Sequence, residues 1–482
     1  MARPETLLEK LSAYCPGTVP MHMPGHKRHT ALAPYLEKLA ADLDITEIGG
    51  FDDLHAPEGV LLRSMERAAR LWGAEHTFFS VNGSTGGVLA AVFAALGEGD
   101  RVLCARNCHR SVYHALSLRR ARVEYLYGEA EPLTGSACLL TPQRVEAALK
   151  KWPDARAVIV TSPSYEGVAL DLAAIAETAH KNGALLIVDE AHGAHLGFHP
   201  AFPQGAVAAG ADLTVQSLHK TLPSLTQTAV LHIQGGRVSP DAVQRALDVF
   251  ETSSPSYLLL ASIDGCVDLL EREGEALFKR WAEALADFDS SLRLEKLTRL
   301  QSVPAGFALD PSKLVFSTRG TDCTGPGLLE LLRQSGVECE MAGPDYVLAM
   351  TGLGDTPESL AALARALTEA EKSIHRLPAP CGGGLGEKRP PLTLPGTEKR
   401  LETWEAEALP AEAVPLDRAA GRVAAETIWT YPPGIPLLLP GEQVPEGLPD
   451  LLASLTAHGV RTRKSRSAER NEIQCAIVSA YR

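Results

Sequence analysis

A chain of 482 residues, 45% apolar and 22% charged, can bury a large core and has the length of roughly two to four domains. Its net charge of −13 argues against nucleic acid as the main partner, because phosphate binding rests on a basic surface, and it favours the approach of cationic substrates. Nine cysteines without a CxxC pair, together with the lack of a secretory signal or a bilayer-length apolar run, lead us to expect a cytoplasmic, membrane-free protein with reduced thiols.

The chain opens with Met21-His22-Met23-Pro24-Gly25-His26-Lys27-Arg28-His29, a donor-rich stretch that composition alone reads equally well as a solvated basic arm. Ile48 to His55 reads as an irregular polar connection. From Leu61 to Trp72 apolar residues recur at helical spacing, and Gly73 is placed to cap the end. A strand, Thr77 to Val81, then leads through Asn82-Gly83-Ser84-Thr85-Gly86-Gly87 into an apolar helix, Val88 to Leu96. A turn of this kind offers backbone N–H groups and two hydroxyls, Ser84 and Thr85, to a phosphate at the positive end of a helix. The alternative is an ordinary tight turn, and the GxxxxGK[ST] pattern of a nucleotide loop is missing from the chain.

Strands at Arg101–Cys104, Val123–Leu126 and Ala157–Thr161 alternate with helices near Arg144–Lys150 and Leu172–Asn182. Such alternation predicts an α/β fold with a mainly parallel sheet, whose carboxyl strand ends are where ligands bind. Those ends carry His109, the segment Ser162-Pro163-Ser164-Tyr165-Glu166-Gly167, and Asp189-Glu190-Ala191-His192 after the apolar run Ala184–Val188. A further run, Asp212–Gln216, delivers Ser217-Leu218-His219-Lys220-Thr221. An acid and an amine on one rim suit pyridoxal phosphate (PLP), which takes a lysine for its Schiff base and a carboxylate for its pyridinium nitrogen. Cys104, Cys108 and His109 fit no zinc spacing.

Beyond Lys220 come Thr226-Gln227-Thr228, a strand at Ala229–Ile233, and a helix Asp241–Phe250 that ends in Glu251-Thr252. A long helix, about Ser262 to Leu292, leads out of the large domain, and Asp310 to about Leu377 alternates strand and helix again, with Glu340-Met341-Ala342-Gly343-Pro344 before the strand Tyr346–Met350. Arg376 to Lys399 is a Pro/Gly-rich linker. The last unit holds Tyr431-Pro432-Pro433-Gly434-Ile435-Pro436 and is apolar enough to pack on the main body. The expected division is an arm (1–30), a large PLP-binding domain (31–275), a small α+β domain (276–376), a linker (377–399) and a C-terminal domain (400–482).

With Pro24-Gly25-His26-Lys27, Asn82-Gly83-Ser84-Thr85, Ser217-x-His219-Lys220 followed by Thr226-Gln227, and Pro432-Pro433-Gly434-Ile435-Pro436 in place, the chain resembles the Orn/Lys/Arg decarboxylase family over nearly its whole length. The resemblance implies PLP fold type I, the aspartate-aminotransferase-like fold, and decarboxylation of arginine, lysine or ornithine in the polyamine pathway. Lys220 would hold PLP, Asp189 would keep its ring nitrogen protonated, and Ser84, Thr85 and Ser217 would bind its phosphate. Thr252 would reach the phosphate of the neighbouring subunit's site, His109 would stack on the ring, and His219 and His192 would lie beside it. Glu340 matches the acid that meets the substrate's distal cation. The early Pro-Gly-His-Lys motif matches the short form, without an N-terminal wing domain, and the family's homodimer with interfacial sites is the expected assembly.

Two other enzyme classes compete. An aminotransferase on the same fold needs an arginine for the α-carboxylate, for which Arg319 is available. A zinc hydrolase would use His192, His195 and His199, although no HExxH accompanies them. A helicase reading of Asp189-Glu190-Ala191-His192 fails for want of the phosphate loop, and an intact Lys220, Asp189 and His109 speak against a non-catalytic paralogue.

Overall fold

In the computed structural model the described residues are 5–14, 41–377, 397–431, 434–466 and 471–478. The Pro24–Lys27 motif, Pro432 and Pro433, and most of the expected linker lie outside them. The chain forms two compact units, one of residues 1–95, 185–280 and 352–354, the other of residues 96–184, 281–351 and 355–482.

In the first unit the strands run in the order His76–Ser80, Ala229–Ile233, Leu213–Ser217, Leu185–Asp189. Leu185–Asp189 and Leu213–Ser217 are parallel, while Ala229–Ile233 runs antiparallel to both its neighbours. All fifteen residues of the three latter strands are buried, as continuous β-branched and leucine runs require when both faces of a sheet are covered. Helix Val60–Trp72 ends as its sequence predicts, with Gly73 at φ +73° and its N–H turned back onto the last carbonyls.

The glycine-rich turn departs from expectation. The helix spans Gly83–Ala95, so it starts five residues before Val88, and Ser84 and Thr85 stand in its first turn. Gly87 explains why the helix can lie there: a Cβ on it would stand 2.8 Å from Val215 Cγ1, so any side chain would lift the helix off strand Leu213–Ser217.

In the second unit Arg122–Leu126, Arg101–Ala105 and Ala155–Thr161 form a parallel set. A four-stranded antiparallel sheet follows, ordered Met341–Ala342, Tyr346–Met350, Lys313–Ser317, Thr298–Arg299. The C-terminal segment adds the pair Ala411–Pro415 and Glu472–Ala476 and the triple Pro436–Leu438, Ile428–Thr430, Thr462–Lys464. Leu437, Leu438, Leu448, Leu455 and Ile473, none more than 1% exposed, form its core.

Within the second unit the C-terminal segment packs against strand Arg101–Ala105 through a buried arginine at that strand's end. Arg106 donates to both oxygens of Glu442, at 3.0 and 2.9 Å, and to the carbonyls of Pro436 and Leu437, at 2.7 and 3.2 Å. Its fork geometry suits it to hold a carboxylate and two carbonyls in one plane.

Candidate active site

Lys220 stands in a four-residue helix, Leu218–Thr221, that begins where strand Leu213–Ser217 ends. Its Nζ lies 2.8 Å from His192 Nε2. His192 follows the parallel strand Leu185–Asp189 by three residues, so two adjacent strand ends bring an amine, an imidazole and the Asp189 carboxylate to one rim. Asp189 is 5% exposed; burial raises its pKa, and the charge of Lys220 and the amide of Ala191 pull it back. A carboxylate held there is stabilised by a cationic partner.

His219 is half-buried, and its Nδ1 lies 3.1 Å from the carbonyl of Thr228. A carbonyl only accepts, so Nδ1 carries the proton and Nε2 is left as the acceptor. Burial, and then the nearby charge of Lys220, lowers the pKa of His219 despite that hydrogen bond, which keeps the ring neutral.

The phosphate candidates meet a direct test. Ser217 is 1% exposed, and its hydroxyl has no hydrogen-bond partner among the described residues. A buried hydroxyl is nearly always paired, so this one calls for an acceptor from a ligand. The first turn of helix Gly83–Ala95 faces the loop after Lys220: Gly83 N–H donates to Gln227 O at 2.9 Å, and Gln227 Nε2 donates to Val81 O at 2.7 Å. Gln227 takes φ +85°, a conformation the cross-brace sustains. Three hydroxyls and a helix N-terminus fit a phosphate. Thr252 is exposed, and its carbonyl lies 2.9 Å from His55 Nε2, whose Nδ1 lies 3.1 Å from Asp248. Burial alone lowers the pKa of His55, but Thr252 and Asp248 outweigh it and raise it. In the sequence Gln227 stands out only as part of the Thr226-Gln227 motif and His55 only as the end of a polar connection, and neither pattern gives its residue a partner or a role in the site.

His109 and Glu340 lie in the second unit. His109 caps helix Arg110–Leu118: its Nδ1 accepts the amide of Ser111 at 3.3 Å and lies 2.9 Å from Ser111 Oγ, which assigns the proton to Nε2. Glu340 is exposed and accepts the hydroxyl proton of Tyr165 at 2.6 Å. Burial, then the Glu340 charge, pushes the Tyr165 hydroxyl well above its ordinary range. Tyr165 belonged to a strand-end segment noticed in the sequence, but nothing in sequence placed it against Glu340, 175 residues away.

The rival assignments find little support. Arg319, the candidate α-carboxylate clamp, is ion-paired to Asp345 and donates to the carbonyl of Pro132. His192 bonds Lys220, His195 packs edge-on to Phe202 with ring centroids 5.0 Å apart, and His199 accepts the Ala201 amide at 3.2 Å. No group of three His, Cys, Asp or Glu side chains that would hold a metal occurs among the described residues, and no described helix is long and apolar enough to cross a membrane.

Comparison with known proteins identifies the family. The family profile described as Orn/Lys/Arg decarboxylase, major domain, matches residues 8–305, and that for the family's C-terminal domain matches residues 404–459. An arginine decarboxylase of Bacillus subtilis is 34% identical over 444 residues, which cover 89% of this chain and 88% of the relative. A lysine decarboxylase of Pseudomonas aeruginosa is 26% identical over 520 residues, covering 86% of this chain and 69% of the relative. In fold, the chain is similar to the constitutive lysine decarboxylase of Escherichia coli, with a TM-score of 0.79 at 19% identity over 98% of this chain and 81% of that one. A ureidoglycine-glyoxylate aminotransferase of Bacillus subtilis shares the fold more distantly, with a TM-score of 0.52 at 18% identity over 65% of this chain and 86% of that one.

Proposed function

The chain belongs to the Orn/Lys/Arg decarboxylase family, and on that premise we propose that it decarboxylates arginine, with PLP held at Lys220. It is an enzyme that removes CO2 from a basic L-amino acid. The preference for arginine is supported by relatives at 33–34% identity over most of the chain that carry the name arginine decarboxylase. The observation that carries the site assignment is the 2.8 Å contact of Lys220 with His192 beside a buried Asp189.

PLP, when bound, supplies an electron sink for the pair left at the α-carbon as CO2 departs. The residues of the chain hold and orient. Asp189 keeps a proton on the ring nitrogen by charge attraction in a buried setting, where that attraction is strong. Ser217, Ser84, Thr85 and the N-terminus of helix Gly83–Ala95 would bind the phosphate, and His109 would lie on the ring. Residues that held the substrate's carboxylate in a fixed orientation toward the bound cofactor would lower the barrier by positioning.

A proton must then return to the α-carbon. His219 is the weaker donor, since its lowered pKa leaves it without a proton to spare on Nε2. Lys220, in hydrogen-bond contact with His192, is the better one, and the imidazole stands ready to receive or restore the proton at Nζ. Glu340, oriented by Tyr165, meets the distal guanidinium; an arginine side chain entering a pocket needs such a partner, because an unpaired buried cation is costly.

We propose that it acts as a cytoplasmic homodimer. The exposure of Thr252 in a single chain is consistent with its serving a neighbouring subunit's phosphate site. Purified protein, given PLP and arginine, lysine or ornithine in turn, is expected to release CO2 and the matching amine fastest from arginine. A keto acid product would overturn the decarboxylase reading in favour of an aminotransferase, and faster turnover of lysine or ornithine would overturn the arginine preference alone.

A further inference from the structure

Gly434, two residues before strand Pro436–Leu438, lies against His109, and it is held from several sides. Gly434 N–H donates to Thr430 O at 2.9 Å, and Arg110 N–H, in the first residue of the helix that His109 caps, donates to Gly434 O at 3.2 Å. Just beyond, Arg106 holds the carbonyls of Pro436 and Leu437 at 2.7 and 3.2 Å while it pairs with Glu442. The guanidinium of Arg110 lies over the Trp429 ring, 5.3 Å from its centroid, and adds a further tie.

Within this frame Gly434 has φ +89°, and a Cβ built on it would stand 2.9 Å from Nε2 and 3.0 Å from Cδ2 of His109. The opposite edge of the imidazole is fixed by Ser111, through Nδ1. A glycine needed only for its backbone conformation would not have to abut a ring. Here the missing side chain is the space the ring's Nε2 edge occupies.

We propose that Gly434 is a positioning residue for His109: its bare Cα sets the orientation of the imidazole, and the Arg106–Glu442 pair keeps the segment that follows it seated. The C-terminal segment thereby acts on the chemistry without supplying a group that touches substrate. This inference rests on the reading of His109 as the ring that lies on PLP.

The test is a double-mutant cycle of G434A, H109A and H109A/G434A, with three measurements on each protein. These are turnover of the basic amino acid with PLP, the circular dichroism of bound PLP, and the His109 ring resonance in the PLP-free protein, assigned by its loss in H109A. G434A is expected to lower kcat by roughly tenfold or more, since a displacement of about 1 Å at a catalytic group costs up to about a hundredfold. It should also shift the His109 resonance and change the cofactor dichroism, while the double variant should turn over within about twofold of H109A.

If the two losses multiply, or if the resonance stays where it was, Gly434 does not act through His109 and the proposal falls. If H109A alone turns over normally, the reading of His109 falls instead, and the resonance in PLP-free G434A still reports whether Gly434 sets the ring. Should G434A fail to fold, H109A/G434A decides: folding as well as H109A supports the steric contact, and misfolding assigns the strain to the backbone at Gly434 itself and overturns the proposal.

Discussion

Replacing Arg106 by leucine removes the guanidinium that holds the C-terminal segment in place. Glu442 is fully buried and, among the described residues, its carboxylate would keep the Leu439 amide, at 2.8 Å, as its one hydrogen-bond donor, while the carbonyls of Pro436 and Leu437 would each lose a donor. Leaving one member of a buried ion pair unpaired costs about 3–5 kcal/mol, which at about 1.4 kcal/mol per decade is roughly a hundred- to several-thousand-fold in a local opening equilibrium. The two stranded carbonyls act in the same direction but are not independent of the pair, so they are not added.

Because a chain of two compact units need not unfold in one step, the assay is native-state hydrogen exchange on peptides spanning Ile428–Leu438 rather than a melting temperature. In R106L these amides are expected to lose about two or more decades of protection while strand Leu213–Ser217 keeps its own. Adding E442L should restore most of the loss, since replacing both members of a buried pair by apolar residues is close to neutral. Protection reduced by less than about fivefold in R106L, or no recovery in R106L/E442L, would refute the argument that the pair seats this segment.

D189A should retain part of its PLP binding through the phosphate contacts and lose most turnover, and near-normal turnover would remove Asp189 from the ring nitrogen. E340Q trades a charged acceptor for a neutral one; at about 1.5–3 kcal/mol for a charged hydrogen bond, kcat/KM for the basic substrate should fall roughly ten- to a hundredfold, with PLP affinity unchanged by titration. Glu190 is fully buried, accepting from Gln216 Nε2 at 2.7 Å and the Ala206 amide at 2.8 Å, and burial lifts its pKa from 4.5 to about 8. The folded state therefore holds this proton where the unfolded chain releases it, so its contribution to stability is lost as pH rises from about 4.5 to about 8. E190Q should flatten the decline, read as a smaller difference between the hydrogen-exchange protection of strand Leu185–Asp189 at about pH 5 and about pH 8 once the intrinsic rates are corrected for pH, and an unchanged difference would show that Glu190 does not titrate there.

Much of the site was legible in the sequence because its carriers are local. Apolar runs such as Ala229–Ile233 announce buried strands, a strand end followed by Asp189 or by Lys220 announces the rim, and Gly73 announces a helix stop, each by a rule that spans only a few residues. The start of helix Gly83–Ala95 was misjudged for the complementary reason. Glycine is a poor helix former, so Gly83 to Gly87 reads as a turn, and only the close approach of Gly87 to Val215 shows why a helix is built from such residues there.

By itself, the sequence determined which groups stand at the strand ends, and hence that an amine and an acid on one rim point to PLP chemistry. Tertiary structure alone decided their partners: His192 for Lys220, Tyr165 for Glu340, Asp345 for Arg319, and Gly434 with Ser111 for His109. Apart from Ser111, these partners lie 26 to 325 residues from the groups they serve, and no local pattern specifies which distant side chain will close on a given atom. That choice follows from how sheets, helices and a buried Arg106–Glu442 pair pack the chain, which is a property of the whole fold.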